Sequence, residues 1–423
     1  MLEKQSLVAD NTVALTTGEQ NVKVKICGIG CSLMDYLYTD ISFGGEAFRR
    51  YESRAVGDGG LAPGKLVFCD ELERFAGKGF DRIRREITGG QAPRAANLGG
   101  PSIVALIHAA QLLAGSGTTV RFFGARGDDR TGEQIREIIG RTPVDSSAYR
   151  IAAGQSPFTV VLSDPTYDGG HGERTFVNNI GAAGSYLPDE VDRSFFDGDI
   201  LEFGGTALVP GIHDHIDVLL RRGRAAGKVT VVNTVYDFRG EKLGANVRWP
   251  LGASDATFAD IDLFIADREE ALRTTGTESI EDALLFLREK GVAAAVVTEG
   301  AHPVHLYSSG RLFASVDHDL LPVSEKVAAG LRSGSVNGDT TGCGDNFTGG
   351  VLASLAEQLQ RGLRGSIDLR RACSLGVVSG GHACYYVGGT FLESRTGEKR
   401  EQISALYRDY IRQTGDRDEG GPF

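Results

Sequence analysis

The feature that most constrains this chain is a repeated alternation of short apolar strands with helical segments. The predicted strands are rich in valine, isoleucine and alanine and carry few charges, as expected of strands buried on both faces. The segments between several of them show the periodicity of amphipathic helices. This alternation predicts an α/β fold in three layers, with a mostly parallel central sheet between helices. The predicted strands are VKVKICGIG, TTVRFFGA, DILEFGG, KVTVVNTV, DLFIA and AAAVVTEG, in chain order.

The composition limits the classes of protein to which this chain can belong. Of its 423 residues, 41% are hydrophobic and 24% are charged, as in a globular protein. The formal net charge of −11 argues against a nucleic-acid partner, because a phosphate backbone requires a basic surface. No stretch approaches the roughly 20 apolar residues of a membrane span, and the N-terminus lacks the apolar core of a signal peptide. We therefore expect a cytoplasmic protein whose six cysteines are reduced thiols.

The segment NGDTTGCGDNFTGG, at 337–350, places many glycines and two aspartates directly before an apolar helix. The backbone N–H groups of Gly342, Cys343 and Gly344, together with the helix N-terminus, are predicted to form a nest for an anion. A carboxylate at Asp345 would repel a phosphate that was merely bound. It suits a residue that orients an attacking hydroxyl and accepts its proton. The alternative is that Asp345 is only the N-cap of the helix.

The run DTTGCGD resembles the signature loop of the ribokinase-like sugar kinases of the phosphofructokinase-B type. The family pattern is Asp-Thr-Thr-Gly-Ala-Gly-Asp, and this chain has Cys343 in place of the alanine. The resemblance implies that Asp345 is the catalytic base, that the amides of 342–344 form the anion hole, and that ATP and Mg²⁺ are required. It also puts Asp339 and Thr341 where some members bind a monovalent cation such as K⁺.

Two further segments resemble the parts of that family that bind nucleotide and magnesium. DREEA lies where the family has Asn-x-x-Glu, which orders magnesium and water near the phosphates. Here Asp267 replaces the asparagine and Glu270 is retained, and a hard cation accepts carboxylate oxygen readily. Without the resemblance, DREEA reads equally well as a charged helix start. VVTEGAHPV resembles a turn that contacts nucleotide, so the implied nucleotide residues are Asp267, Thr298, Gly300 and Gly344.

The resemblance also implies an acceptor site on the N-terminal side of the chain. Asp35, in GIGCSLMD after the first strand, matches the family aspartate that binds sugar hydroxyls. A carboxylate suits this role because it can accept hydrogen bonds from two hydroxyls at once. Gly99 and Gly100, ahead of an apolar helix, match the double glycine that lets the sugar approach the backbone.

One expected acceptor contact is missing from this chain. The family usually has asparagine four residues after the glycine pair, where this chain has Val104. Either Asn97 takes that contact from a different direction, or Gly89 and Gly90 are the true pair. The chain also lacks the third glycine of a dinucleotide-binding fingerprint and any GxxxxGK[ST] loop, so neither of those nucleotide-binding classes is expected.

Together these features predict an ATP-dependent kinase for a hydroxyl on a sugar or related small molecule. We expect one domain, 22–414, between flexible tails at 1–21 and 415–423. A small β lid from 36–70 and 148–180 would exclude water on closing, and it offers a homodimer contact. The alternatives are a nucleoside or sugar-phosphate kinase of the same fold, or a catalytically silent relative that only binds ligand. The departures from the family motifs favour the silent relative, whereas Asp345 opposes it.

Overall fold

The structure is a computed structural model that describes residues 23–55, 57–244, 246–336, 338 and 340–416. The predicted tails at 1–21 and 415–423 lie outside these residues, apart from Gly415 and Asp416. Asp339, one of the two residues predicted to bind a monovalent cation, also lies outside them.

Strands and helices alternate along most of the described chain. The strands are β1 (Lys25–Gly30), β2 (Leu33–Tyr38), β3 (Leu66–Phe68), β4 (Ala95–Gly99), β5 (Thr119–Arg126), β6 (Tyr149–Ile151), β7 (Phe158–Asp164), β8 (Glu173–Asn179), β9 (Ile200–Gly204), β10 (Val229–Asn233), β11 (Leu263–Asp267), β12 (Ala294–Glu299), β13 (His302–Ser308) and β14 (Val316–Leu321). The helices are α1 (Glu46–Arg49), α2 (Cys69–Ala76), α3 (Phe80–Thr88), α4 (Pro101–Leu112), α5 (Arg130–Ile139), α6 (Tyr167–Gly170), α7 (Pro210–His213), α8 (Ile216–Ala225), α9 (Phe238–Glu241), α10 (Arg268–Thr275), α11 (Ile280–Glu289), α12 (Glu325–Ser333), α13 (Cys343–Gln360), α14 (Leu369–Ala383) and α15 (Glu398–Thr414). Short 3-10 turns occupy Gly181–Ser185, Pro188–Glu190, Arg193–Asp197, Thr206–Leu208 and Asp255–Asp260.

A nine-stranded sheet runs through the centre of the described residues, in the order β14-β13-β12-β11-β10-β9-β1-β5-β6. The neighbouring strands from β12 to β6 are parallel, whereas β13 and β14 add an antiparallel edge. Parallel neighbours require crossover connections, and the helices between the strands supply them. The predicted α/β fold with a mostly parallel central sheet is confirmed. Its parallel strands bring their carboxyl ends to one edge, where ligands bind in sheets of this kind.

Helices cover both faces of the central sheet and make two apolar cores. Helices α4, α13, α14 and α15 pack on one face, and α8, α10 and α11 pack on the other. Successive strand residues divide between the faces, so that Phe122 belongs to the first core and Phe123 to the second. Every residue of α4 is buried, because that helix lies between the sheet and α13. The layers therefore hold the N-terminus of α13 in a fixed place.

A second sheet of five strands has the order β3-β8-β7-β2-β4. Its apolar face packs on α1, α2 and α3 through side chains such as Phe48, Leu72 and Ile83. Most of its strands come from the two segments predicted to form a lid, although β2 begins earlier and β4 lies outside both. Strand β6, which falls inside 148–180, pairs with β5 in the central sheet. That the second sheet acts as a lid stays a prediction.

Candidate active site

The glycine-rich segment predicted to bind an anion forms the start of α13. Gly342 is the N-cap of that helix, with a φ of 74°. A β-carbon at Gly342 would come 2.5 Å from Gly389 Cα, so both the backbone angle and the close approach require glycine. Gly344 is exposed, and no atom lies within 4 Å of the position its β-carbon would take. The N–H groups of a first helical turn have no partners within the helix, so this open side suits an anion.

Asp345 is the third residue of α13 and is half-buried. Burial raises the pKa of its carboxyl to about 6, because a charge is costly to remove from water. The N-cap of the helix is Gly342, so the reading of Asp345 as an N-cap is wrong. A carboxyl poised near neutral pH beside first-turn amides is suited to accept a proton during a reaction.

The side chain of the next residue, Asn346, holds the glycine-rich loop in place through hydrogen bonds. Its Nδ2 donates to the carbonyl of Gly342 at 2.8 Å and to the carbonyl of Gly389 at 2.9 Å. The backbone N–H of Asn346 also donates to Gly342, at 2.9 Å. The fully buried amide of Asn346 therefore ties the start of α13 to the segment after α14.

The other end of the same amide accepts three hydrogen bonds. Asn346 Oδ1 receives them from His108 Nδ1 at 2.7 Å, Lys399 Nζ at 3.0 Å and the Tyr386 hydroxyl at 3.1 Å. Lys399 is only 1% exposed, and its ammonium lies 5.6 Å from the ring centroid of Phe391. Burial lowers the pKa of Lys399 to about 7. Burial also lowers the pKa of His108, and the nearby Lys399 adds to that effect. These donors allow Asn346 only one amide orientation.

A buried carboxyl on the central sheet interacts electrostatically with Asp345. Glu202, in the middle of β9, is fully buried and accepts a hydrogen bond from the Ser102 hydroxyl at 2.7 Å. Burial raises the pKa of Glu202 to about 8, and the charge of Asp345 raises it further, whereas the Ser102 bond opposes the shift. Glu202 is therefore neutral near pH 7 and lies close enough to Asp345 to interact with it electrostatically.

Glu270 and Asp267 meet at the start of α10. Asp267 is the N-cap and accepts from the Glu270 N–H at 2.8 Å, and Glu270 accepts in return from the Asp267 N–H at 3.1 Å and from the Thr234 hydroxyl at 2.6 Å. Burial raises the pKa of Glu270 to about 8, and the charges of Asp267 and Asp345 add to the shift. The predicted charged helix start is therefore present, and the buried carboxyl of Glu270 interacts electrostatically with Asp345. Thr298 lies opposite Asp267 in the sheet register.

Asp35 lies on β2, directly opposite Asn97 of β4, so both side chains point to one face of the second sheet. A β-carbon at Gly99 would overlap Asp35 Oδ2, so the carboxylate occupies space that only glycine leaves. Gly100 has a φ of 108° and lies against the carbonyl of Cys31. Two polar side chains and two glycines are thus brought together ahead of α4.

The segment after α14 joins this acceptor side to the anion loop. A β-carbon at Gly388 would come 2.7 Å from Asn97 Nδ2, and Gly389 packs beside the buried side chain of Val104. Val104 provides no polar group for the acceptor, where the family usually has asparagine. Asn97 is the amide side chain that lies next to Asp35. Gly89 is instead the C-cap of α3, which favours the pair at 99–100.

The remaining predicted residues are less closely connected. Gly300, with a φ of 55°, turns the chain from β12 into β13, and Thr341 is exposed just before α13. Among the described residues, one group of three histidine or carboxylate side chains has ligand atoms within 4.8 Å of one another, and none of its members was predicted. It joins α11 to the antiparallel edge of the sheet and consists of Glu281, His305 and His318.

The comparison with protein families decides the classification. Residues 99–395 match the model of the pfkB family carbohydrate kinase, a span of well over half the chain. This chain belongs to the pfkB family. The resemblance carried by DTTGCGD is therefore confirmed, and membership implies a kinase that uses ATP.

Several solved structures share the fold of this pfkB chain. An adenosine kinase from Anopheles gambiae, in complex with P1,P4-di(adenosine-5) tetraphosphate, matches with a TM-score of 0.60 and 18% identity, over 89% of this chain and 97% of that one. An adenosine kinase from Schistosoma mansoni with 2-fluoroadenosine gives 0.62 and 14%, over 86% and 96%. A probable sugar kinase from Rhizobium etli CFN 42 gives 0.60 and 16%, over 93% and 99%. At these identities, the likeness shows the fold alone.

Sequence reasoning missed several residues around Asp345. Asn346 stands directly after the predicted base in the quoted motif, and its position could have drawn attention to it. Glu202 lies in an apolar strand, where a lone carboxylate is a signal of special burial. Lys399 gives no such signal, because EKREQ reads as a solvated helix start. Among the described helices, none is both long enough and apolar enough to cross a membrane.

Proposed function

We propose that this pfkB protein transfers the γ-phosphoryl group of ATP to a hydroxyl of a sugar or nucleoside. The observation that carries the proposal is the position of Asp345, whose burial raises its pKa to about 6 in the first turn of α13. In this role the acceptor oxygen forms a bond to the γ-phosphorus while the bond from that phosphorus to the bridging oxygen of ADP breaks. Asp345 takes the hydroxyl proton and later releases it to water.

The amides at the start of α13 would stabilise the negative charge on the transferring group. The Cys343 N–H donates a long hydrogen bond of 3.3 Å to the Thr340 carbonyl, and a bound anion would replace that weak bond. Gly344 leaves open space on the same turn. Asn346 keeps Gly342 and Gly389 together, so the first turn would not need to rearrange during the reaction.

The carboxyls at the start of α10 fit a divalent cation. Burial and mutual repulsion raise the pKa of Glu270 to about 8, and a nearby cation would relieve that repulsion. Glu270 and Asp267 would therefore hold Mg²⁺, directly or through water, as hard oxygen ligands do. When bound, Mg²⁺ neutralises charge on the phosphates. Thr298, beside Asp267, and Gly300 in the following turn would contact the nucleotide.

The acceptor would lie between Asp35 and the anion loop. Asp35 and Asn97 together provide hydrogen-bond acceptors and donors for neighbouring hydroxyls, as on a sugar or on the ribose of a nucleoside. Several solved relatives in fold are adenosine kinases, which makes nucleosides the first alternative to free sugars. The second sheet, which carries both side chains, would close over the acceptor as a lid.

The test is release of ADP in a coupled assay over panels of sugars, sugar phosphates and nucleosides. We expect turnover with at least one acceptor, and Asp345→Asn should lower kcat by about 10²- to 10⁴-fold while the protein still folds and binds ATP. Asp282→Asn is the matched control, because Asp282 is also the third residue of a helix, α11, on the other side of the sheet. Near-parental turnover of Asp345→Asn would refute the assignment. Tight binding of one acceptor without turnover of any would favour a catalytically silent relative.

A further inference from the structure

Two cysteines meet beside the anion loop. Cys343 is the first residue of α13, and Cys384 is the C-cap of α14. Their Sγ atoms lie 3.6 Å apart. Val327 and Val336 pack around this pair in a small apolar cluster of their own. The family pattern has alanine where Cys343 stands, so the pair is a departure of this chain from its family's signature.

The geometry is close to that of a disulfide. A disulfide needs an S–S distance of about 2.05 Å, so the sulfurs would have to approach by roughly 1.5 Å. Cys343 is the first residue of α13 and Cys384 is the C-cap of α14, so bringing the sulfurs together displaces two helix ends and not the middle of a helix. Cys343 is half-buried and reachable from solvent, whereas Cys384 is 6% exposed and lies behind it.

The other four cysteines lie outside this cluster, and Cys343 differs from them because it is half-buried. All of them are buried, and burial raises the pKa of each thiol, to about 11 in Cys27 and to about 12 in Cys31. Burial raises the pKa of the remaining two in the same direction. Thiols of this kind stay protonated and unreactive at neutral pH. Those remaining two are Cys69 and Cys373.

We propose that Cys343 and Cys384 are a site of reversible oxidation that controls the anion loop. Peroxide is the oxidant. The Cys343 thiol gives up its proton, its sulfur attacks one peroxide oxygen, and the O–O bond breaks. The departing hydroxide takes up a proton, so that sulfenic acid and water are formed. The Cys384 sulfur then attacks the sulfenic sulfur and displaces a second water, leaving the disulfide. Overall, two thiols and one hydrogen peroxide give one disulfide and two waters, and an added dithiol reverses the change.

The disulfide would act on the loop through the backbone. Drawing Cys343 Sγ toward α14 moves the first residue of α13, whose N–H belongs to the proposed anion hole. Cys384 is also joined to the loop, because its carbonyl accepts from the Gly338 N–H at 2.9 Å. The oxidised protein would therefore hold its first-turn amides away from the position that suits the phosphoryl group. This effect on turnover rests on the proposed function, whereas formation of the bond does not.

The experiment treats the full-length protein with hydrogen peroxide and then reads the bond and the turnover separately. Remaining thiols are alkylated, the protein is digested, and peptides are identified by mass spectrometry. We expect a peptide pair linked between Cys343 and Cys384, together with at least a tenfold loss of turnover that dithiothreitol restores. Cys384→Ala should turn over normally before treatment and keep its activity after a brief exposure. Cys373→Ala, on the same helix as Cys384, should behave like the parent protein.

Three results would overturn the proposal. These are the absence of the linked peptide, equal inactivation of Cys384→Ala, and a linked protein that turns over at the parental rate. Because the linked peptide is detected without an assay, the two proposals can fail separately. A reduced protein that turns over no acceptor counts against the kinase, whereas a missing link counts against the redox site.

Discussion

At the scale of single residues, the protonation of Asp345 should control the rate. A general base acts only when ionised, and burial raises the pKa of Asp345 to about 6. We therefore expect kcat/KM to rise about tenfold per pH unit below pH 6 and to level off above it. The measurement is a pH–rate profile from pH 5 to 8 at low acceptor concentration. Glu202→Gln should not change this rise in kcat/KM below pH 6, because Glu202 is already neutral in that pH range. A flat profile between pH 5 and 7 would contradict the assignment.

Another single-residue prediction concerns the space in front of Asp35. A methyl group at Gly99 would overlap Asp35 Oδ2 and displace the carboxylate from the acceptor. We expect Gly99→Ala to raise the KM for the acceptor about tenfold or more, since small misplacements at such a site are costly. The KM for ATP should change less than twofold. Ala96→Ser, at an exposed position of the same strand, is the control. Equal changes in both KM values would show that the substitution disturbs the fold instead.

At the scale of elements, Asn346 couples α13 to the segment after α14 through two separable functions. Its Nδ2 donates to Gly342 and Gly389, and its Oδ1 accepts from three buried donors. Asn346→Asp keeps the acceptors and loses the donors, so we expect kcat to fall about 10- to 100-fold while both KM values change little. Lys399→Met keeps the amide and removes one donor, and it should lower kcat by less than tenfold.

Thermal unfolding distinguishes variants that lose turnover because the loop is misplaced from variants that lose it because the fold is less stable. Asn346→Asp still provides an acceptor for Lys399 but sets a carboxyl oxygen against the carbonyls of Gly342 and Gly389, so its Tm should fall moderately. Asn346→Ala leaves three buried donors without that acceptor, at a cost of about 1–3 kcal/mol for each. We therefore expect Asn346→Ala to melt well below Asn346→Asp. If Asn346→Asp turned over like the parent protein, Asn346 would have no positioning role.

The elements also show what the sequence could and could not predict. The apolar strands of the central sheet were predictable because strands buried on both faces exclude charge and favour valine and isoleucine. Strand β4 was not, because AANLG has weak strand propensity and becomes a strand only by pairing with β2. The site residues divide in the same way, into those in a local sequence motif and those brought together by packing. Gly342 and Asp345 stand in a local motif, whereas Lys399 reaches Asn346 only through the packing of α15.

At the scale of the whole molecule, the fold places ionisable groups where their charge is unfavourable, and this makes stability depend on pH. The carboxyl of Glu202 has a pKa of about 8 in the folded chain and an ordinary value of 4.5. Its stabilising contribution is complete below pH 4.5 and is lost as the pH rises through 8, because the folded state then holds a buried charge. Lys399 has the opposite effect. Burial lowers its pKa from 10.5 to about 7, so its contribution to the free energy of unfolding increases as the pH rises between these two values.

Glu202→Gln should remove the first of these dependences. Glutamine keeps an oxygen for the Ser102 hydroxyl and never ionises. We expect the variant to match the parent protein at pH 5 and to exceed it at pH 8 by on the order of a few kcal/mol in the free energy of unfolding. Urea titrations at both pH values measure this difference, and the contributions of Glu270 and Lys399 cancel because both proteins carry them. A variant that was less stable than the parent protein at pH 8 would show that the ionised carboxylate of Glu202 stabilises the sheet.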